Sequence, residues 1–181
     1  MIFKFVLISD EAEDFLREIS IDADSTFLDL NKAILVACGY SDDQITSFYT
    51  CNDEWEQEEQ ITREDMGFGT ADHDVYIMEK TELRNFINDE DQKLVFVFDP
   101  FNDRVFYMKV SEIITGKNLK KPECTRKEGT APRQINDMDS NIPTSEGSDD
   151  FFDEDEGSDF FGSDGFNEED IDFEGFEIEE H

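Results

Sequence analysis

The stretch 25-STFLDLNKAILVACG-39 decides the fold, because it carries a complete set of helix signals. Ser25 or Thr26 can cap the first turn, and Asp29 follows Thr26 by three residues, which is the spacing of a capping box. Gly39 can adopt the left-handed conformation that ends a helix. Between these ends, apolar residues recur at helical spacing: Phe27, Leu30, Ile34, Ala37 and Cys38. The pattern predicts one amphipathic helix that buries this stripe against a sheet.

Strand patterns surround the predicted helix on both sides. Runs rich in β-branched and aromatic residues predict strands over 2–8, 15–21, 47–51, 93–98 and 104–110, with 75–79 as a weaker candidate and a short edge strand starting at Trp55. A short helix capped by Thr81 is expected over 82–87, and the polar residues 56–74 are expected to form a long loop. The expected fold class is α+β in the order ββαβ(β)αββ, with a mixed or mostly antiparallel sheet of about five strands and one main helix packed on one face.

Charge divides the chain into three parts. The 181 residues carry 15 Lys+Arg against 48 Asp+Glu, a formal net charge of −33. Residues 134–181 hold 19 of these acids, none of the bases, and 7 of the 18 Phe. This composition cannot bury enough apolar surface to offset the entropy of backbone ordering, so we expect a disordered, acidic and Phe-rich tail. Residues 1–116 are expected to form a compact domain and 117–133 a basic linker, whose bases are Lys117, Lys120, Lys121, Arg126, Lys127 and Arg133.

The net charge, the length of the apolar runs and the number of cysteines also argue against several classes of protein. The excess negative charge repels phosphate, so we expect neither direct DNA binding by the full chain nor docking on an anionic membrane. The apolar start of the chain lacks a following cleavage site and predicts a strand rather than a signal peptide, and no apolar run is long enough to cross a membrane. Three cysteines, without a CxxC pair, favour a reduced, cytoplasmic protein.

The sequence contains no recognisable catalytic or metal-binding motif. Its histidines, His73 and His181, have no zinc spacing to a cysteine, and the acidic segment 137–148 lacks the Gly and the Glu that a calcium loop needs. Nucleophilic catalysis would have to pair Cys51 or Cys38 with His73, and Cys38 lies on the apolar stripe of the predicted helix. We therefore expect no metal, no cofactor and no catalytic residue, and a protein that is not an enzyme.

Candidate partner-binding residues come from both the body and the tail. Arg17 lies on the apolar side of a predicted strand, where it is either a binding residue or an edge residue whose guanidinium reaches solvent or a local acid. Trp55 is the only Trp and lies beside the long acidic loop, so it either packs in the core or belongs to a partner surface. The tail offers Phe151, Phe152, Phe160 and Phe161 to pockets of an unidentified protein partner. Otherwise the tail folds back on the basic linker or only keeps the protein soluble.

Three packing motifs resemble those of a known family. They are 15-FLREI-19, 25-STFLDLNKAI-34 and 39-GYSDDQITSF-48, followed by a strand pair, 93–98 and 104–110, that looks like the family's closing hairpin. Over residues 1–115 the chain thus resembles the plasmid pRi-type open-reading-frame-three-like (ORF-3-like) family, whose members are often labelled as passenger proteins of insertion elements or as resolvase-like. The resemblance implies a fold and a mobile-element setting but no activity. The acidic tail resembles that of Bacteroidetes-type members.

The sequence therefore predicts a non-enzymatic protein-interaction module associated with a plasmid or mobile element. The alternative is a nucleic-acid-linked regulator, in which residues 117–133 contact phosphate and the acidic tail competes with DNA for them. A second alternative is a cryptic hydrolase whose site has no visible signature in the sequence.

Overall fold

The computed structural model describes residues 1–65 and 75–135. Within them, eight strands form one sheet and one α-helix packs on it. The strands are β1 (Ile2–Ile8), β2 (Leu16–Asp22), β3 (Ser47–Cys51), β4 (Gln57–Thr62), β5 (Val75–Ile77), β6 (Lys93–Asp99), β7 (Arg104–Ile114) and β8 (Glu123–Glu128). The helix is α1 (Phe27–Cys38), and two short 3₁₀ turns are Met78–Lys80 and Leu83–Asn85. No helix in these ranges is long and apolar enough to cross a membrane.

The sheet is antiparallel except at one edge. Its strand order is β5-β4-β3-β6-β7-β1-β2-β8, and the short pairing of β4 with β5 is its parallel one. The first strand, β1, pairs with both β2 and β7, so it lies inside the sheet. Within its sequence, IFKFVLI, the alternate residues Phe3, Phe5 and Leu7 are buried, whereas Lys4 and Val6 are only partly covered.

The helix begins and ends where the sequence predicts. Thr26 Oγ1 accepts a hydrogen bond from Asp29 N at 3.3 Å, and the Asp29 carboxylate accepts one from Thr26 N at 3.0 Å, which completes the capping box. Gly39 ends the helix in the left-handed conformation, with a φ of 71°. The apolar side of α1 packs on a core rich in phenylalanine, and burial of each such ring stabilises the fold by about 1.5–3 kcal/mol.

The predicted α+β class, with its smaller sheet, is wrong, because the described chain is mostly sheet. One cause is that the helix expected over 82–87 is only the single 3₁₀ turn Leu83–Asn85. The backbone N–H of Leu83 donates to the carbonyl of Ser25 at 2.9 Å. This tertiary bond places the segment beside the start of α1.

A second cause is a strand that the sequence did not reveal. The loop expected over 56–74 contains β4, in which only Ile61 is buried. Since β4 lies next to the edge strand β5, backbone pairing with β3 and one buried side chain are enough to hold it. Trp55, expected to start an edge strand, lies instead in the turn that precedes β4, where its backbone N–H donates to the carbonyl of Asn52 at 3.1 Å.

A third cause is a strand within the basic segment 117–133, all of which was expected to be a linker. The central part of this segment forms β8, which pairs antiparallel with β2 at the edge of the sheet. All residues of β8 are exposed, so the strand has no apolar alternation that a sequence pattern could show. The folded part of the chain therefore extends beyond the boundary expected at residue 116.

Side-chain bonds also hold the residues after β8 against the body. Tyr40 Oη donates to the carbonyl of Pro132, and Gln134 Nε2 donates to the carbonyl of Ser41 at 2.9 Å. The described residues end at 135, so almost all of the tail expected over 134–181 lies outside them.

Candidate binding cavity

Alternating side chains give the sheet two different faces. In β6, Leu94, Phe96 and Phe98 belong to the core under α1, whereas Val95 and Val97 belong to a second apolar cluster. We call the side of the sheet that carries this second cluster, opposite α1, the distal face. Both sets of β6 side chains are buried, which agrees with a strand that is apolar at five consecutive positions.

Strand register lines up the distal side chains into a floor. Val95 lies opposite Tyr49 of β3 and Tyr107 of β7, and Val97 lies opposite Val105. Val95 and Val97 are only 3% and 8% exposed, so the floor is aliphatic and shielded from water. The two tyrosines are half-buried beside it.

This floor belongs to a cavity of about 940 Å³, which we call the distal cavity. Its walls come from the loop between α1 and β3, from strand β4, and from the turn between β6 and β7. The volume falls within the range of ligand-binding clefts. Because residues distant in sequence converge on it, the cavity is a product of the tertiary fold rather than of one motif.

Trp55 forms an aromatic wall of the distal cavity, and its backbone is strained. Its φ of 66° is a left-handed conformation that bulky residues rarely adopt and that costs on the order of 1–3 kcal/mol. Asn52 holds the turn, because its Oδ1 accepts the N–H groups of Glu54 and Glu56 at 2.9 and 3.0 Å. The indole packs edge-on against Tyr107, with ring centroids 5.2 Å apart. The partly buried indole packs against the cluster that contains Val95 and Val97, and it also lines the cavity.

Carboxylates dominate the rim of the distal cavity. The acidic lining residues are Asp42, Asp43, Glu64, Asp65 and Asp103, and the basic one is Arg63. Arg63 forms an ion pair with Asp42, with 2.7 Å between Nη1 and Oδ1. Hydrogen bonds from Ser41 and Gln44 lower the pKa of Asp43 below its ordinary value. The rim therefore carries a net negative charge.

A smaller cavity of about 240 Å³ adjoins the distal cavity. The two share the lining residues Asp43, Gln44, Ile45 and Pro100. Three apolar side chains around the smaller cavity are exposed, with fractions of 49% for Ile45, 84% for Phe101 and 55% for Ile135. Together the cavities form a groove that is acidic and aromatic at one end and apolar at the other.

Arg17 lies inside the protein, not at an exposed edge. β8 covers the free side of β2, and Arg17 is only 2% exposed. Its guanidinium donates to backbone carbonyls on both sides, among them those of Ala37 at 3.0 Å and Gly129 at 3.1 Å. The expectation of a guanidinium in solvent is therefore corrected, and Arg17 serves the fold.

The other predicted binding residues lie apart from the distal cavity or outside the described residues. The bases Lys117, Lys120, Lys121, Arg126, Lys127 and Arg133 are all exposed. Arg126 forms an ion pair with Glu128 at 2.6 Å. The tail candidates Phe151, Phe152, Phe160 and Phe161 lie outside the described residues, so their binding to a partner stays a prediction.

The thiols of Cys38 and Cys51 have pKa values above the ordinary value of a thiol. Burial raises the pKa of Cys51 to about 11 and that of Cys38 to about 12, so both thiols are protonated at neutral pH. His73, the base considered for either of them, lies outside the described residues. Within residues 1–65 and 75–135, no group of three or more His, Cys, Asp and Glu side chains is placed to hold a metal ion.

Sequence reasoning singled out Trp55 but missed the residues that join it in the cavity. A signal for the floor was present, because KLVFVF and the strand after it carry apolar residues at consecutive positions. Strands that are apolar at consecutive positions are covered on both faces. The pattern therefore predicts that further residues cover the face opposite the helix. The rim carried no comparable signal, since acids are frequent throughout this chain.

Comparison with known proteins confirms the resemblance seen in the sequence. The family model described as "Plasmid pRiA4b ORF-3-like protein" matches residues 3–172. A solved structure of similar fold is the protein of unknown function MM3350 from Methanosarcina mazei Go1, with a TM-score of 0.53 and 19% sequence identity. That match covers 72% of this chain and 70% of the other. No curated protein matches the chain.

Proposed function

The chain belongs to the plasmid pRiA4b ORF-3-like protein family, and from this premise we propose that it is a non-catalytic protein-interaction module. The distal cavity binds a segment of a partner protein. The plasmid in the family's description supports the further proposal that the module acts in the setting of a plasmid or other mobile element.

One observation carries the proposal. The distal cavity combines a buried aliphatic floor, formed by Val95 and Val97, with the strained and partly exposed Trp55 in its wall. Apolar floors flanked by aromatic side chains are typical of the anchor pockets that dominate protein interfaces. The protonated thiols of Cys38 and Cys51 favour binding over nucleophilic chemistry.

The test is a selection of random dodecapeptides, displayed on phage, against the full chain. Enriched peptides are then synthesised with a fluorescein label and titrated by fluorescence anisotropy. Trp55→Gly removes the aromatic wall while it relieves the left-handed backbone strain, so the variant should fold and should bind at least about tenfold more weakly. Asp91→Gly is the matched control, because Asp91 also has a positive φ, 69°, and does not line the cavity.

Two results would overturn the proposal. One is the absence of any enriched peptide, and the other is equal affinity of the enriched peptides for wild type and Trp55→Gly. Tyr107→Ala, which removes the edge-on partner of the indole, is the second cavity variant and should weaken binding in the same way. Far-UV circular dichroism confirms that each variant is folded before its affinity is interpreted.

The nucleic-acid alternative has one observation in its favour, which is that all six bases of 117–133 are exposed. In that alternative, the acidic tail competes with DNA for these bases, so a chain without the tail, residues 1–133, binds a duplex that the full chain does not bind. Its affinity falls steeply as salt increases, since phosphate contacts release counterions. The triple variant Lys120→Glu, Lys121→Glu and Lys127→Glu of residues 1–133 would then flatten the salt dependence. Absence of duplex binding at low salt by both the full chain and residues 1–133 would eliminate this alternative.

A further inference from the structure

We infer that the distal cavity selects a cationic side chain, an arginine or a lysine, of the partner segment. The inference rests on the proposed function and adds the chemistry of the ligand to it. Its grounds are the charge of the rim, the aromatic walls and the shape of the groove.

The rim favours a cation. Its carboxylates outnumber its one basic residue, Arg63, and the guanidinium of Arg63 is already 2.7 Å from Asp42. The carboxylate of Asp43 also lies at this rim, where it accepts hydrogen bonds from Ser41 Oγ and Gln44 Nε2. A cation that enters this site meets attraction from several sides, whereas a phosphate or carboxylate would be repelled.

The aromatic walls also suit a cation. Lys93 Nζ lies 5.1 Å from the centroid of the Trp55 ring, so this indole already accepts one positive charge from its own chain. Tyr107 meets the indole edge-on, at an interplanar angle of 84°, and Tyr49 lies across the floor from it. Aromatic rings around an acidic rim are a recurrent way to bind guanidinium and ammonium groups.

The floor suits the hydrocarbon stem of such a side chain. Arginine and lysine bury their methylene groups on apolar surface while the charged head reaches polar groups. The half-buried side chains packed around Val95 and Val97, which are Tyr49, Val105 and Tyr107, offer that surface, and the carboxylates lie at the rim.

The adjoining smaller cavity suits an apolar residue next to the basic one. Its exposed apolar side chains, Ile45, Phe101 and Ile135, are continuous with the distal cavity through shared lining residues. An extended segment can therefore place a basic residue in the distal cavity and an apolar residue on this patch. We expect the enriched peptides to contain that pair.

The experiment compares two double variants of the full chain with equal net charge. Glu64→Lys with Asp103→Asn changes the rim, and asparagine tolerates the φ of 52° at position 103. Glu123→Lys with Glu13→Gln makes the same charge change at exposed positions outside the cavity lining. Peptides enriched on wild type are titrated against both double variants by fluorescence anisotropy.

We expect the enriched peptides to be rich in arginine or lysine. Their binding should be at least tenfold weaker to the rim variant and within twofold of wild type for the control variant.

The outcomes separate this inference from the proposed function. Peptides that lose affinity with Trp55→Gly but lack basic residues, or that bind the rim variant as well as wild type, would overturn the cation inference and leave the interaction module in place. Basic peptides that bind both double variants equally weakly would show attraction to the overall negative charge alone, which also overturns it. The absence of any peptide sensitive to Trp55→Gly would overturn both.

Discussion

At the scale of single residues, Arg17 joins three parts of the fold. Its Nε donates to Ala37 O at 3.0 Å, near the negative end of α1, and its Nη1 donates to Leu16 O at 2.8 Å and to Glu128 O. Nη2 donates to Gly129 O at 3.1 Å, just after β8. A fully buried guanidinium is tolerated here because carbonyl oxygens satisfy its donors on every side.

Arg17→Met should therefore destabilise the protein by about 2–4 kcal/mol, because several buried carbonyls would lose their partner. Urea unfolding of the full chain, followed by circular dichroism, measures the change. Arg126→Met, at an exposed position of β8, is the control and should change the free energy of unfolding by less than about 0.5 kcal/mol. Equal stabilities of the two variants would contradict the structural role of Arg17.

Ionisation of Cys38 makes the free energy of unfolding depend on pH in the alkaline range. Burial raises its pKa from 9.0 to about 12, whereas the thiol in the unfolded chain ionises near its ordinary value. Between these values the unfolded state has lost a proton that the folded state keeps, so stability is full below pH 9 and falls as pH rises towards 12.

Cys38→Ala should reduce the loss of stability between pH 8 and pH 10.5, as measured by the urea midpoint. Val36→Ala changes an exposed side chain of the same helix that carries no titrating group, and it should leave the loss unchanged. If Cys38→Ala shows the same decline as wild type, ionisation of the buried thiol is not a cause of the alkaline loss.

At the scale of elements, β8 is held by backbone pairing with β2 and by the turn that follows it. The turn after it depends on Gly129, whose φ is 62° and whose Cα lies so close to the backbone of Asp14 that a Cβ would collide with that carbonyl. Gly116 also has a positive φ, 74°, but has open space around it. A side chain at Gly116 would meet only the unfavourable backbone conformation, whereas one at Gly129 would also meet a steric clash. Substitutions at the two positions therefore distinguish these two energetic costs.

Gly116→Ala should cost about 1–2 kcal/mol for the left-handed backbone alone. Gly129→Ala should cost about 1–3 kcal/mol more, because the added methyl group pushes the end of β8 away from the β1–β2 turn. Urea unfolding measures the totals, and hydrogen exchange should show faster exchange in the β8 amides with Gly129→Ala only. Similar costs for both variants would contradict the close approach at Gly129.

The elements also show what a sequence can reveal about this fold. α1 was predictable to its ends, because Thr26, Asp29 and Gly39 act through local geometry. β4 and β8 were not, since polar strands at or near a sheet edge are held by backbone pairing that leaves no side-chain pattern. The distal cavity was predictable only at Trp55 and in the apolar pattern of β6. Its rim brings Asp42 and Asp103 together from distant loops.

At the scale of the whole molecule, the two faces of the described sheet differ in what they carry. The α1 side buries the phenylalanine core, and the distal side carries a cavity with an acidic rim. If the cavity binds a basic side chain as proposed, the net charge of −33 should also attract the partner at long range. Affinity for such a partner should therefore fall as salt increases, while its dependence on Trp55 persists.

The most direct test of this account is amide chemical-shift mapping of the ¹⁵N-labelled full chain during titration with an enriched peptide. The account predicts that the largest shifts occur in β3, β6 and β7 around Tyr49, Val95 and Tyr107, and at the indole N–H of Trp55. Shifts confined to β8 and the basic segment 117–133, with the distal face unchanged, would contradict it.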